Sequence, residues 1–177
     1  VHTTSFQSIN PLLNQPWPTI TIKRYNLNSS VILGTTFHEL AHSTHARHRG
    51  LLRFTQSETR MRETYAKTIE WYLTTKMYRD IRPDLNIIYR SNFQYDYPAF
   101  DPDFTVYTSL MVDLIDNFNQ RTEYGNIYVL DNVSGFTINQ VENEVMQTRK
   151  FSELKTNVID NYDNPTEGNL NELFNNW

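Results

Sequence analysis

The chain contains no cysteine, only five glycines and no long apolar run. Without cysteine, disulfide bonds and structural zinc sites built on thiolates are excluded. No apolar stretch approaches the roughly 18 residues that a membrane-spanning helix needs. The net charge is −4, with no basic cluster beyond ordinary helix faces, which argues against a nucleic-acid partner. Any metal site in this chain must therefore be built from histidine and carboxylate ligands.

The length of 177 residues predicts one domain spanning residues 1–177, with room for a sizeable core. The chain starts at Val1 without the pattern of a signal peptide, so we expect a processed fragment of a longer precursor. Residues 1–18 contain several prolines, which disfavour a helix, so we expect an extended N-terminal lead-in segment there. The alternating β-branched stretch 19–25 predicts a half-buried strand. Most of the remaining chain has helical patterns, so the expected fold class is mainly α, or α+β.

The segment His38-Glu39-Leu40-Ala41-His42 is an H-E-x-x-H motif. On a helix, residues four apart share a face, so His38 and His42 can both direct an imidazole to one ion. Glu39, one step round the helix, can reach a water held on that ion without binding the ion itself. This is the arrangement of a zinc metallopeptidase, with two histidine ligands and a carboxylate as general base.

The residues around the motif predict that a helix carries it. Residues 28–30 supply a polar N-cap, and Gly50 stops the helix after a basic run at 47–49. His38, His42 and His45 form a stripe beside the apolar face, which places the motif where a buried helix meets a cleft. The apolar face consists of Leu33, Phe37, Leu40, Ala41 and Thr44.

Further helices are predicted downstream. A long helix at 56–80 would start at a capping box in residues 55–58. The segment 108–119 predicts an amphipathic helix with Asp113 and Asp116 facing solvent. Three shorter helices would begin at Thr137, span 152–162, and open at Asn164-Pro165 with the asparagine as N-cap.

A catalytic zinc ion usually has three protein ligands, and two schemes offer the third. In the first scheme, H-E-x-x-H-x-x-G-x-x-H, the third ligand would be His48. That scheme needs a glycine at position 45 to turn the chain, and this chain has a histidine there. On a continuous helix, His48 lies about 280° round from His38 and points away from the ion. In the other scheme the ligand is a glutamate on a second helix, and Glu63 follows His42 by 21 residues. Glu58 is a further candidate.

With Glu63 in the segment Arg62-Glu63-Thr64-Tyr65-Ala66, the chain resembles the gluzincin peptidases, whose second helix carries E-x-x-A or a close variant. More narrowly, residues 38–45, the Glu63 helix and the segment 164–167 look like zinc-binding metallopeptidases of secreted or lipid-anchored bacterial proteins. The resemblance implies a zincin-like catalytic domain with a small β element beside the motif helix. It also implies a secreted or envelope-anchored location.

The chain departs from the gluzincin pattern around the third ligand. Many members have asparagine before the glutamate and an acid four residues after it, which orients a ligand histidine. Here these positions hold Arg62 and Lys67, so we expect Glu70 to be the orienting acid. A donor that stabilises the developing oxyanion is also needed. The candidates are His45, Tyr65, Tyr95, Tyr97, Tyr107 and Tyr124.

The resemblance implies a zinc-dependent peptidase that hydrolyses a peptide or protein substrate through a metal-bound water activated by Glu39. His38, His42 and Glu63 would hold Zn²⁺. The alternative is a non-catalytic zinc-containing binding module that keeps the motif. A purely structural zinc site is disfavoured because only three ligands are placed and a base stands beside them. The sequence does not determine the substrate, exo- versus endo-cleavage or the oligomeric state.

Overall fold

A computed structural model describes residues 3–10, 15–21, 29–81 and 107–177. Within these ranges the protein is mainly helical, with one β-hairpin at the N-terminal end, which confirms the predicted fold class. No described helix combines the length and the apolar character needed to cross a membrane.

The hairpin consists of two antiparallel strands, β1 (Thr3–Asn10) and β2 (Gln15–Thr21). Their register is irregular between Ser8 and Asn10. The predicted strand at 19–25 overlaps β2 only at its end, and residues 22–25 lie outside the described part of the chain. The predicted lead-in is largely strand, because a two-stranded hairpin leaves edge positions that tolerate the prolines of β2. Both strands contact the motif helix.

Three helices follow: α1 (Ser29–Arg49), the short α2 (Leu51–Thr55) and α3 (Thr59–Ile81). Gly50 separates the first two with φ of 80°, a backbone conformation that favours glycine. The capping box predicted at 55–58 is wrong. Thr55 Oγ1 donates to the carbonyl of Leu52 within α2, and Glu58 Oε2 accepts the backbone N–H of Phe151.

The C-terminal part contains short helices: α4 (Leu110–Asp113), α5 (Gln120–Tyr124), α6 (Ile138–Gln147), α7 (Phe151–Asn161) and α8 (Leu170–Asn176). Thr137 caps α6 in a reciprocal capping box with Gln140, as predicted. The predicted helix at Asn164 begins later. Asn164 Oδ1 accepts the N–H of Thr166, and a 3-10 turn (Glu167–Asn169) precedes α8.

The core is built around the pairing of α1 with α3, the most extensive contact between described helices. Small side chains at the contact allow close approach, since Ala41 of α1 and Ala66 of α3 are both buried. The C-terminal helices cover the other side of α3 with a continuous apolar cluster. It includes Leu110, Leu114, Val141, Val145, Leu154, Leu170 and Leu173.

Asp113 corrects the prediction of an amphipathic helix at 108–119. Only residues 110–113 form α4, and the Asp113 side chain is fully buried instead of facing solvent. Its carboxyl oxygens accept hydrogen bonds from Gln120 Nε2 at 2.9 Å and from Trp177 Nε1 at 2.8 Å. These partners come from elements farther along the chain, so helical periodicity could not reveal them.

Asp131 is buried in the same region, where it interacts with Asp116 and Asp113. Burial raises the pKa of Asp131 to about 8; the charge of Asp116 adds to this effect, and the N–H of Val133 opposes it. Burial also raises the pKa of Asp113, with the nearby charge of Asp131 contributing. The folded protein therefore holds a proton on Asp131 at neutral pH.

The raised pKa of Asp131 predicts that the free energy of unfolding falls as pH rises from about 4 to about 8, because the folded state retains a proton that the unfolded chain releases. One such proton gives a slope of about 1.4 kcal/mol per pH unit at most. Asp131→Asn keeps the acceptor for Val133 and should flatten this slope in urea unfolding at pH 5, 6.5 and 8. Exposed Asp163→Asn is the control. Equal slopes for Asp131→Asn and wild type would contradict the assignment.

Candidate metal centre

Helix α1 places the two motif histidines one turn apart on the same face. The ring centroids of His38 and His42 lie 4.8 Å apart, in an edge-on arrangement. Their side chains are 13% and 11% exposed, respectively. The pair is therefore held inside the structure but is still reached by solvent, as a binding centre requires.

Helix α3 brings Glu63 against both histidines. Glu63 Oε2 lies 3.3 Å from His38 Nε2 and 3.1 Å from His42 Nε2. The potential ligand atoms of these three residues all lie within 4.8 Å of one another, so the group could hold a metal ion. Of the described residues, no other group of three or more histidines, aspartates or glutamates converges in this way.

The three side chains also shape each other's protonation. Burial alone would lower the pKa of His38, but hydrogen bonds with Glu63 and Glu70, together with their negative charges, raise it to about 9. Burial would raise the pKa of Glu63, yet the contacts with His38 and His42 hold it well below its usual range. The negative form of Glu63 and the protonated form of His38 thus stabilise each other.

Glu70 contacts the other ring nitrogen of His38, since its Oε2 lies 3.2 Å from His38 Nδ1. A carboxylate at Nδ1 keeps that nitrogen protonated and leaves Nε2 as the atom that can bind an ion. The structure therefore places Glu70 where the sequence suggested an orienting acid. His42 differs, because its buried Nδ1 has no hydrogen-bond partner among the described residues.

The other ligand candidates lie outside the group. Helix α1 runs unbroken through position 45 to Arg49, so His48 stays on a different side of the helix and is exposed. Glu58 lies just before α3 and does not join the group. Its Oε2 accepts the backbone N–H of Phe151 at 3.1 Å. The arrangement of the helices thus brings Glu63, and neither alternative, to His38 and His42.

Two of the residues considered as oxyanion donors are buried in the core. His45 is fully buried between Phe54 and Tyr65, with ring centroids 5.2 Å and 5.3 Å away. Burial, helped by nearby positive charges such as Arg49, lowers the pKa of His45 to about 3. The Tyr65 hydroxyl donates to Glu142 Oε1 at 2.8 Å. Both residues serve in packing.

Of the remaining candidates, Tyr107 lies beside the metal group. Its ring centroid is 6.2 Å from that of His38, and Lys67 Nζ lies 5.5 Å from the ring centroid. Tyr124 packs against Phe118 and Tyr128 instead. Tyr95 and Tyr97 fall outside the described residues.

Glu39 is 6% exposed and follows His38 directly in α1. It is not part of the three-residue group, which agrees with a role beside the ligands and not as one of them. Phe54 of α2 was missed by sequence reasoning, although its ring centroid lies 6.1 Å from that of His42. Phe54 lies four residues after Gly50, in a segment between the two predicted long helices.

Comparison with protein-family models, with curated proteins and with solved structures finds no match to this chain. Function must therefore be argued from the geometry of the site itself.

The position of Glu63 predicts its effect on metal content. Glu63→Ala removes the contact to both histidines, so the purified variant should lose bound metal after dialysis, whereas His48→Ala should retain it as wild type does. Metal analysis of the two variants, dialysed side by side, measures this. A metal-replete Glu63→Ala together with an empty His48→Ala would overturn the assignment.

Glu70 is predicted to act on the metal through His38. Glu70→Ala should lower metal affinity about 10–100-fold, because His38 loses the carboxylate that fixes its ring and tautomer. Competition with a chromophoric chelator measures the change. Exposed Asp80→Ala, near the end of the same helix, is the matched control. If both variants bind metal like wild type, Glu70 does not orient the ligand.

Proposed function

We propose that the protein is a zinc-dependent peptidase of the gluzincin type, with His38, His42 and Glu63 as the metal ligands. The observation that carries the proposal is the convergence of two Nε2 atoms and one carboxylate oxygen, contributed by an H-E-x-x-H helix and a second helix. Secretion or anchoring in the cell envelope stays a prediction from the resemblance.

The donor set fits zinc in kind, and the two distances from Glu63 are close to the spacing of donors around zinc. Two imidazoles and one carboxylate form a known catalytic zinc set that leaves a fourth position open. In a tetrahedral site with bonds of about 2.0–2.2 Å, neighbouring donors lie about 3.3–3.6 Å apart. The distances of 3.3 Å and 3.1 Å from Glu63 to the histidines differ from this spacing by only a few tenths of an ångström. Small side-chain movements would therefore accommodate the ion.

When bound, zinc would supply a Lewis acid that polarises the scissile carbonyl. The protein's own residues would carry the proton. Glu39, adjacent to His38 and enclosed by the fold, would accept a proton from the attacking water and later deliver it to the leaving amine. Its burial supports this role because a base in a water-poor site acts on the bound water and not on bulk solvent.

The developing oxyanion would need a hydrogen-bond donor opposite the metal ligands. Tyr107 is the described candidate whose ring lies next to a ligand, 6.2 Å from the ring centroid of His38. The nearby ammonium of Lys67 adds positive charge on the same side. We therefore assign Tyr107 to this role within the proposal.

The decisive prediction concerns Glu39. Glu39→Gln should keep its zinc but lose peptide hydrolysis by about 10²–10⁴-fold, since the amide cannot accept the proton while the ligands are untouched. Zinc content and cleavage of a broad fluorogenic peptide library are measured on the same preparation. Exposed Glu172→Gln removes the same charge elsewhere and should behave as wild type.

Two outcomes would contradict this mechanism. Loss of zinc from Glu39→Gln would make Glu39 a ligand or a residue needed for folding. Wild-type protein with stoichiometric zinc but no cleavage of the library would instead support the alternative, a zinc-containing binding module without turnover.

A further inference from the structure

A cavity of about 400 Å³ lies between α1, α3 and α6. Its lining residues do not include His38, His42 or Glu63. On α3, the lining residues Tyr65, Ile69 and Tyr72 lie about 120–180° round the helix from Glu63, and Leu73 lies about 80° round it. The cavity is therefore a separate feature on the other side of α3 from the metal group. Its size falls in the range of small-molecule sites, about 300–1,000 Å³.

The walls of the cavity are mostly apolar and open to solvent at one side. Phe37 and Leu40 of α1, Leu73 of α3 and Ile138 of α6 contribute to them. Leu40 is 44% exposed, so part of its side chain is open to solvent. An occupant with an apolar body would bury this surface and gain the corresponding hydrophobic free energy.

A single charged side chain, Glu142, stands among the described lining residues. Its Oε1 accepts the hydroxyl of Tyr65 at 2.8 Å. Within the described part of the chain, no lysine, arginine or histidine forms an ion pair with Glu142. A half-buried carboxylate without a cation favours a ligand that supplies the missing positive charge.

Tyr65 holds this carboxylate in place. The phenol is 1% exposed, and its ring packs against His45, so its hydroxyl cannot swing away. The carboxylate is thus preorganised at the cavity wall, with its second oxygen free of any described ion-pair partner.

We propose that this cavity binds a small organic ammonium compound, with the ammonium paired to Glu142 and an aromatic or branched apolar body packed against Phe37, Leu40 and Leu73. The site is independent of the proposed peptidase chemistry.

The test compares 2-phenylethylamine, protonated at neutral pH, with its neutral analogue 2-phenylethanol. Binding is measured by NMR titration of the full chain in the presence of EDTA, so that neither metal nor activity contributes. The amine should bind about tenfold more tightly than the alcohol, and its shifts should map to the cavity. Glu142→Gln keeps an acceptor for Tyr65 but removes the charge, so it should abolish this preference. Glu172→Gln should keep it.

Thr44→Trp provides a second variant that does not depend on Glu142. Thr44 is exposed at the cavity, so an indole there should obstruct the opening without disturbing the core and weaken both probes at least tenfold. The proposal is overturned if wild-type protein binds amine and alcohol equally or not at all. Amine binding that survives unchanged in both Glu142→Gln and Thr44→Trp would also overturn it.

Discussion

The contact of one carboxylate oxygen of Glu63 with two histidines of α1 constrains much of the structure around it. A carboxylate this buried is costly unless it is paired, so α1 and α3 must keep their relative position to satisfy it. Buried Ala41 and Ala66 make that position possible, because larger side chains at this contact would hold the two helices apart. Core packing and the candidate metal group thus rest on the same helix pair.

The spacing of carboxylates along α3 explains how His38 is held from two sides. Glu63 and Glu70 are two helical turns apart, so they lie on one face and contact Nε2 and Nδ1 of the same ring. The position one turn after Glu63 is Lys67, whose ammonium lies over the ring of Tyr107 instead. Many gluzincins have an acid at this position, whereas here the carboxylate that contacts Nδ1 of His38 is Glu70, one turn farther along the helix.

Local patterns predicted the features that depend on neighbouring residues. The extent of α1, its stop at Gly50 and the cap at Thr137 follow from helical spacing and turn chemistry. The proximity of Glu63 to the motif was expected from the resemblance to the gluzincins. The burial of Asp113 could not be predicted from local patterns, because its hydrogen-bond donor Trp177 lies 64 residues away in the sequence. The prediction of a capping box at 55–58 was wrong for a related reason, because Glu58 accepts a hydrogen bond from the backbone N–H of Phe151, which is distant in sequence. Side chains with long-range partners override local propensity.

The metal group and the cavity behind α3 are joined by a short series of packed side chains. The ring of His42 contacts Phe54, Phe54 contacts His45, and His45 contacts Tyr65, whose hydroxyl meets Glu142. His45 remains neutral across the physiological range because burial lowers its pKa to about 3. Both of its ring nitrogens also lack hydrogen-bond partners among the described residues. Since His45 is neutral and makes no described hydrogen bond, the contact through which the cavity could influence the metal group is packing, as a displacement of Tyr65 against His45.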